Sequence, residues 1–296
     1  MALRDWLLII FIGAIWGCSF LFNAVLIREL GPLWVSAGRV TVGALGCWVY
    51  FVATRRTLPR DPMLYLQLLF LGLINYAIPF ALFPLAEADL ASGIVGVINA
   101  MTPMTTVIVS QYYPGGQRAT WNKVIGVLIG FLGAAILAAP SLSGGASAQV
   151  WAIGACLLAT LCYAFTLNYA RRFKAIDPTT IAASSLTGAA ILMIPTALLF
   201  EGAPVITQVE TWGSLLGIGL ISTTFAFLLM YRMLPRVGAT NFSINTFITP
   251  ISAILLGVLV LHERFETTHL LGIAVIFLGL VFIDGRLVRG LRRAPA

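Results

Sequence analysis

Two asparagines stand within long apolar stretches of the chain, where an amide side chain is costly to bury. Asn99 and Asn245 each lie partway along such a stretch. An amide offers a carbonyl acceptor and two N–H donors, which can bind a polar ligand away from bulk water. Small polar residues also hydrogen-bond between neighbouring membrane helices, which is the alternative interpretation. We predict that both side chains contact a substrate or a water-filled cavity.

A threonine–proline pair follows each asparagine at a short distance, as Thr102-Pro103 and Thr249-Pro250. A mid-helix proline lacks an N–H and frees the carbonyl four residues earlier, here the carbonyls of Asn99 and Thr246. In transporters such breaks expose backbone acceptors to the substrate and supply hinges. The sequence therefore predicts hinges at both prolines. The alternative is a static kink in which the threonine hydroxyls satisfy the carbonyls.

Arg39 is the only cation away from the ends of a predicted membrane span. It lies ~9 Å below the outer end of that span, because a helix rises about 1.5 Å per residue. A charge at that depth must face the bundle, reach water or find a partner. Either it contacts the substrate or it forms a structural ion pair with Glu87 or Asp89, which end the next span on the same outer side.

A neutral, zwitterionic metabolite fits this polar content. Its ammonium and carboxylate need hydrogen-bond partners, and its side chain needs an apolar or aromatic wall. The candidate substrate contacts are Trp16, Ser19, Asn23, Arg39, Tyr76, Phe83, Asn99, Tyr163, Thr166, Asn245 and Thr246. The aromatic members of this set favour aromatic or large apolar substrates, because aromatic rings stack on one another.

The side chains that enzyme chemistry requires are missing from the sequence. It has no Ser/His/Asp set, carboxylate pair or phosphate-binding loop, so we predict no catalytic residue, metal or cofactor. His262-Glu263 begins like a zinc-protease motif, but Glu266 stands where the second histidine is required. No Asp, Glu or His occupies the middle third of a predicted span, so a buried proton relay is not expected.

The composition is that of a membrane protein. Of the 296 residues, 59% are hydrophobic and 10% are charged, which leaves too few charges for a water-facing surface. A hydrocarbon core of ~30 Å needs about 20 apolar residues per helix. Ten stretches meet this requirement, approximately 6–27, 33–53, 64–84, 91–112, 122–140, 150–170, 179–200, 212–231, 239–260 and 268–284. The predicted fold is therefore all-α and integral to the membrane.

The two halves of the chain repeat each other with a period of about 146 residues. The threonine–proline pairs follow this spacing, and so do the glycine-containing segments that begin at Gly126 and Gly272. We assign residues 1–140 and 150–285 to two five-helix repeats and 286–296 to a basic cytoplasmic tail. Because five is odd, the second repeat is inverted in the membrane, as in many secondary transporters. The ten helices are then expected to surround a central cavity.

The charges predict the orientation of the chain. Most of the 18 Lys and Arg residues lie in loops on the side of the N-terminus, so the positive-inside rule places both termini in the cytoplasm. The formal charge of +7 is spread over short loops beside anionic lipid. We therefore predict contact with membrane lipid and no nucleic-acid partner.

The chain resembles the EamA-type branch of the drug/metabolite transporter superfamily over residues 6–284. The marks of the resemblance are Trp16-Gly17 with Ser19, Pro32 followed by Arg39, the paired Thr-Pro breaks, and Glu263 before the Gly272…Gly279 helix. The resemblance implies two inverted five-helix repeats in a bacterial inner membrane and export of amino acids, often aromatic ones, or other small metabolites. Arg39 and Glu263 match positions where the family often has Arg and Glu, which favours a structural role for both. The first half has no acid that matches Glu263.

Several functions remain open at this point. The preferred one is a secondary transporter that exports aromatic or large neutral amino acids, as a monomer or homodimer. An exporter of another metabolite, a drug-like cation or a sugar derivative is the alternative. A channel needs a ring of like charges or a carbonyl filter, and a membrane enzyme needs a catalytic set; the sequence shows neither.

Overall fold

The ten apolar stretches fold as ten helices. The computed structural model describes residues 2–143 and 147–285, and this part of the chain contains helices and connections but no strand. Within it, nine helices are long and apolar enough to cross a bilayer, and a shorter apolar helix covers Asn245–Val260. The prediction of an all-α, ten-helix membrane protein is confirmed. The predicted basic tail, 286–296, lies outside the described residues.

The helices have the following bounds in chain order. They are α1 (Leu3–Leu26), α2 (Pro32–Ala53), α3 (Pro62–Glu87), α4 (Ser92–Tyr112), α5 (Trp121–Ser143), α6 (Ser147–Phe173), α7 (Pro178–Glu201), α8 (209–242), α9 (Asn245–Val260) and α10 (Thr267–Asp284). These bounds follow the predicted spans within a few residues, except where α8 meets α9. There the helical segment continues past residue 231 and changes direction at Gly238, whose φ of 76° suits a residue without Cβ.

Equivalent helices of the two halves begin in the same way. Pro32 starts α2 and Pro178 starts α7, because the first turn of a helix has no acceptor for the N–H that proline lacks. Asp177 accepts a hydrogen bond from the Thr180 N–H at 3.0 Å and so caps α7. The common start fixes the register of two helices that then pack along each other.

Packing follows the repeat. Two of the closest helix pairs join equivalent helices, α2 with α7 and α5 with α10. The pair α1–α9 is equivalent to the pair α6–α4, because α1 corresponds to α6 and α9 corresponds to α4 in the two halves. The α5–α10 pair is especially close, since a Cβ on Gly126 would lie 2.7 Å from the Gly279 carbonyl oxygen. This pair carries none of the candidate substrate contacts, which all lie on the other eight helices.

Two equivalent helices also contain wider, π-helical turns. In α3 this segment is Leu73–Ala77, and in α8 it is Gly217–Phe225. The hydroxyls of Thr223 and Thr224 donate to carbonyls five residues earlier, at 2.8 Å and 3.1 Å, and so support the wider turns. Such turns are frequent at functional sites, because they redirect side chains without ending the helix.

Candidate functional site

Arg39 on α2 is buried where the two halves meet, with 7% of its surface exposed. Its Nε donates to the Thr223 hydroxyl on α8 at 3.1 Å, and its Nη2 donates to the Ser19 hydroxyl on α1 at 3.3 Å. The guanidinium carbon lies 3.6 Å from the centre of the Phe80 ring on α3. One cation therefore contacts three other helices, and the π-helical turn of α8 supplies one of the contacts.

The ion pair of Arg39 with Glu87 or Asp89, one of the two alternatives that the sequence left open, is not formed. Neither carboxylate lies within 4.0 Å of the guanidinium nitrogens, which bond to hydroxyls instead. Asp89 is exposed in the loop after α3. The buried cation therefore has no carboxylate counter-ion in direct contact, which is an expensive arrangement in a membrane unless an anion can be supplied.

Glu87, which ends α3 on the predicted outer side, is buried. It is the last residue of α3, and only 8% of its surface is exposed. The Asn23 amide on α1 donates to its Oε1 at 3.3 Å. Ser19, which binds Arg39, lies one turn from Asn23 on the same face of α1. Two successive turns of α1 thus bind the guanidinium of Arg39, through Ser19, and the carboxyl group of Glu87, through Asn23.

A row of aromatic side chains leads away from Arg39. Tyr76 lies 5.6 Å from Phe80, Phe227 lies 5.8 Å from Tyr76, and Trp16 lies 5.9 Å from Phe227, as measured between ring centres. The row therefore connects α3, α8 and α1. Of the predicted wall residues, Trp16 and Tyr76 belong to it.

The other two predicted wall residues form a separate pair. Phe83 on α3 and Tyr163 on α6 have ring centres 6.0 Å apart. Beside them, the buried Thr166 donates to the Asn75 side-chain oxygen at 2.7 Å, which ties α6 to the π-helical turn of α3. Tyr163 also interacts electrostatically with Arg39, so this pair borders the same polar centre.

Asn99 and Asn245 each keep one buried polar atom without a hydrogen-bond partner. In Asn99 the atom is the side-chain oxygen, an acceptor. In Asn245 it is the amide nitrogen, a donor, because the Asn245 oxygen accepts from the Thr249 hydroxyl at 2.8 Å. Buried polar atoms are nearly always paired, so such exceptions call for an explanation. The interhelical bonds of the alternative interpretation are not formed by these two atoms.

The helix breaks differ between the halves. In α4 the break separates Ser92–Asn99 from Thr102–Tyr112, and Pro103 lies in the first turn of the second part. The Thr102 hydroxyl donates to the Asn99 carbonyl at 2.7 Å, so this carbonyl already has a partner. In the second half the break precedes Asn245, and Pro250 lies inside continuous α9.

Pro250 is thus a mid-helix proline, as the sequence predicts, and the helix around it continues without interruption. The chain turns earlier, where the Thr246 hydroxyl donates to the Ser243 carbonyl at 2.7 Å. Gly238, with its left-handed φ, has already redirected the backbone before that turn. Whether either proline acts as a hinge stays a prediction.

Sequence reasoning left Phe80, Thr223 and Glu87 out of the site, although all three contact a predicted member of it. The signal for Thr223 is its position in a run of hydroxyl residues within an apolar span. Phe80 gives no such signal, because a phenylalanine in a span is not unusual, and Glu87 was considered only as an ion-pair partner of Arg39.

Comparison with known proteins agrees with this architecture. The EamA-like transporter family matches residues 5–139 and 150–284, once in each half. An uncharacterized transporter of Archaeoglobus fulgidus is 21% identical, covering 95% of this chain and 99% of that protein. The uncharacterized transporter YoaV of Bacillus subtilis is 24% identical, covering 92% and 94%.

Two further similarities bear on substrate and fold. An S-adenosylmethionine/S-adenosylhomocysteine transporter of Chlamydia trachomatis is 22% identical, and the match covers 92% of this chain and 86% of that protein. A solved crystal structure superposes with a TM-score of 0.69 at 19% identity, covering 97% of this chain and 99% of the other. At that identity the likeness extends to the fold alone.

Proposed function

The chain belongs to the EamA-like transporter family, and we propose that it is a secondary transporter exporting zwitterionic metabolites from the bacterial cytoplasm. The substrates we favour are amino acids with aromatic or large apolar side chains. Transport would proceed by alternating access between the inverted halves, with both termini in the cytoplasm. The excess of cations in the loops on the side of the N-terminus supports that orientation.

The observation that carries the proposal is the buried Arg39 without a carboxylate in contact. A substrate carboxylate is a natural counter-ion for it, since guanidinium binds carboxylates with directional, charge-assisted hydrogen bonds. The unpartnered atoms of Asn99 and Asn245 provide an acceptor and a donor for further polar contacts. The two amides lie on equivalent helices of the two halves, so a substrate that bonds to both would connect them.

The aromatic side chains support the preference for ring-containing substrates. Trp16 and Tyr76 belong to the row that leads from Arg39, and Phe83 with Tyr163 borders the same centre. Aromatic pairs gain about 0.5–1.5 kcal/mol beyond simple burial of area. A phenyl or indole ring bound among these residues would gain similar contacts.

S-Adenosylmethionine is a second candidate substrate. The Chlamydia trachomatis relative is named as a transporter of this compound and its demethylated product. The molecule carries an amino-acid zwitterion together with an aromatic base, so both recognition elements described here apply to it. Its sulfonium charge distinguishes it from phenylalanine, because this charge needs additional compensation in a buried site.

Uptake into proteoliposomes tests the proposal. Radiolabelled phenylalanine or tryptophan should be transported saturably, and excess S-adenosylmethionine, a quaternary ammonium compound or a hexose should serve as competitors. Asn99→Ala should reduce phenylalanine transport several-fold or more, since a substrate group left unpaired in a buried site costs roughly 1–3 kcal/mol. Trp16→Ala should also reduce it several-fold or more, because the variant lacks a ring that contacts the substrate side chain. Trp121→Ala is the matched control, because Trp121 is 81% exposed.

The competitors decide between substrate classes. Inhibition of phenylalanine transport by S-adenosylmethionine at low concentration would favour the second candidate. Stronger inhibition by the quaternary ammonium compound or the hexose than by excess unlabelled phenylalanine would contradict zwitterion recognition while leaving the transporter fold intact.

A further inference from the structure

Glu87 is a carboxylic side chain buried between helices without a cation in contact. Its Oε1 accepts from the Asn23 amide at 3.3 Å, but its Oε2 is buried and has no hydrogen-bond partner. The Asn23 side-chain oxygen is likewise buried and unpartnered. Two side chains that already share one hydrogen bond thus carry one unpartnered oxygen each.

A single proton satisfies both oxygens. If Glu87 is protonated on Oε2, its hydroxyl becomes a donor, and the amide oxygen of Asn23 is an acceptor on the side chain already bound to Oε1. A carboxylic acid and an amide then form two hydrogen bonds side by side. An ionised Glu87 would instead leave two buried acceptor oxygens without a donor, which is costly.

Few ionisable groups face Glu87 from the surrounding helices. Arg39 on α2 and Glu263, in the loop before α10, interact with it electrostatically. Cys156 on α6 does so as well, and Tyr163 on α6 faces Arg39. The facing residue of α1 is the non-ionisable Asn23. Glu263 is itself engaged, since its carboxylate accepts from the backbone N–H groups of Ser92 at 2.6 Å and Gly93 at 3.2 Å.

Arg39 and Glu87 offer one partner for each charge of an amino acid, a cation for its carboxylate and a carboxyl group for its ammonium. They bind Ser19 and Asn23, which are separated by one helical turn of α1, a rise of ~6 Å. A substrate with its carboxylate on Arg39 would direct its ammonium along this face of α1 towards Glu87. The ammonium can then take the place of the proton, because both are cations that compensate the same carboxylate.

We infer that Glu87 is the site where a proton and the substrate ammonium compete, which makes the transporter a proton antiporter. This inference rests on the proposed function. Substrate binding transfers the proton of Glu87 to water, and the resulting carboxylate pairs with the ammonium. Release of the substrate on the outer side leaves the carboxylate to take a proton from that side. The protonated form returns, so a proton enters for each substrate that leaves.

Infrared difference spectroscopy of the purified full-length protein tests proton binding without any substrate. The wild type should show the C=O stretch of a buried protonated carboxyl group that shifts on exchange into D₂O. Glu87→Gln should lack this band, whereas Asp89→Asn, an exposed acid two residues away, should retain it. A band that persists in Glu87→Gln, or no band in the wild type at any pH, overturns the inference.

Binding of phenylalanine as a function of pH tests the competition. Wild-type affinity should fall on acidification by up to about tenfold per pH unit, the limit for displacement of one proton. The affinity of Glu87→Gln should be independent of pH, with Asp89→Asn behaving like the wild type. A wild-type pH slope in Glu87→Gln would overturn the inference.

Gradient-driven uptake distinguishes coupling to protons from coupling to a metal cation. It also distinguishes both from a failure of the amino-acid proposal. In proteoliposomes, a pH gradient with the acidic side opposite the phenylalanine should drive accumulation in the wild type and not in Glu87→Gln. Accumulation driven by a Na⁺ gradient alone would overturn the role of the proton. If phenylalanine neither binds nor moves, the amino-acid proposal fails, and the infrared band still decides whether Glu87 holds a proton.

Discussion

The guanidinium of Arg39 and the ring of Phe80 are in direct contact, with the guanidinium carbon 3.6 Å from the ring centre. The contact joins α2 to α3 just beyond the π-helical turn of α3. A ring face stabilises a desolvated cation by up to about 2 kcal/mol, yet it leaves the N–H donors free. Phe80 thus supports the charge of Arg39 without using any of its N–H donors, two of which bind Thr223 and Ser19.

Arg39→Lys should reduce transport by about tenfold or more at equal protein content. Lysine keeps the charge, but it cannot donate in two fixed directions to Ser19 and Thr223 while it lies over a ring. Losing a hydrogen bond to a charged group costs about 1.5–3 kcal/mol, which corresponds to roughly 10–100-fold. The measurement is phenylalanine uptake, and Arg28→Lys at an exposed loop position is the control. Wild-type uptake by Arg39→Lys would show that a point charge suffices.

Replacing both Pro103 and Pro250 by alanine should slow transport and leave the fold intact. In α4 the proline starts the second part of a broken helix, so alanine permits a continuous helix there. In α9 the proline lies within the helix, and alanine restores a missing backbone donor. The larger effect is expected from Pro103 alone, because α4 is interrupted next to its proline whereas α9 is continuous. Thermal unfolding in detergent and phenylalanine uptake measure the two outcomes. Uptake at the wild-type rate in the double variant would mean that the prolines are only tolerated kinks.

The sequence was sufficient to predict the helices and the repeat, since both depend on patterns that are local or periodic. Apolar length determines where a membrane helix lies, and the repeated Thr-Pro pairs show that the halves are equivalent. All eleven predicted contacts, including Arg39, Ser19 and Asn23, lie on helices that contact the other half. The types of these residues were informative, because a polar side chain in an apolar span is costly unless it has a polar partner or a ligand.

The remaining features depend on side-chain direction, which spacing along an ordinary helix does not predict. The π-helical turns in α3 and α8 shift every following side chain around the helix, which brings Thr223 to Arg39. Glu87 stands at the end of a span, and only the packing of α1 shows that it is buried. The turn before α9 is set by Gly238 rather than by Pro250, and the two halves share no glycine there.

Gly279→Ala should destabilise the protein, whereas Gly154→Ala should stabilise it slightly. A Cβ on Gly279 would lie 2.7 Å from the Gly126 carbonyl oxygen and 2.8 Å from the Gly130 nitrogen, so α5 and α10 would have to separate. A Cβ on Gly154 has no atom within 4 Å, so alanine there gains helix propensity of up to about 1 kcal/mol. The comparison is the thermal unfolding midpoint of each variant in the same detergent. Equal shifts would contradict the close packing of this helix pair.

Acidification should weaken the contact between the loop after α1 and the segment before α8, and Glu29 should account for part of the loss. The Glu29 carboxylate accepts from the Thr207 hydroxyl, from the Thr207 N–H at 2.7 Å and from the Gln208 N–H at 3.3 Å. These bonds, led by the Thr207 hydroxyl, act together with the nearby Thr211 hydroxyl to lower the pKa of Glu29 from 4.5 to about 2. A lowered folded-state pKa means that the stabilisation is present above pH 4.5 and is lost as the pH falls towards 2.

Glu29→Gln should therefore flatten the fall of the unfolding midpoint between pH 4.5 and about 2, the range that separates the two pKa values of Glu29. Glutamine keeps an acceptor oxygen but no charge, so its bonds to the Thr207 and Gln208 backbone do not depend on pH. Above pH 4.5 the variant should be less stable than the wild type, because hydrogen bonds to a charged acceptor are the stronger ones. Glu210→Gln, an exposed acid in the first turn of α8, is the control and should keep the wild-type profile. If Glu29→Gln and the wild type lose stability in parallel over this range, the contact does not contribute to the acid sensitivity of the fold.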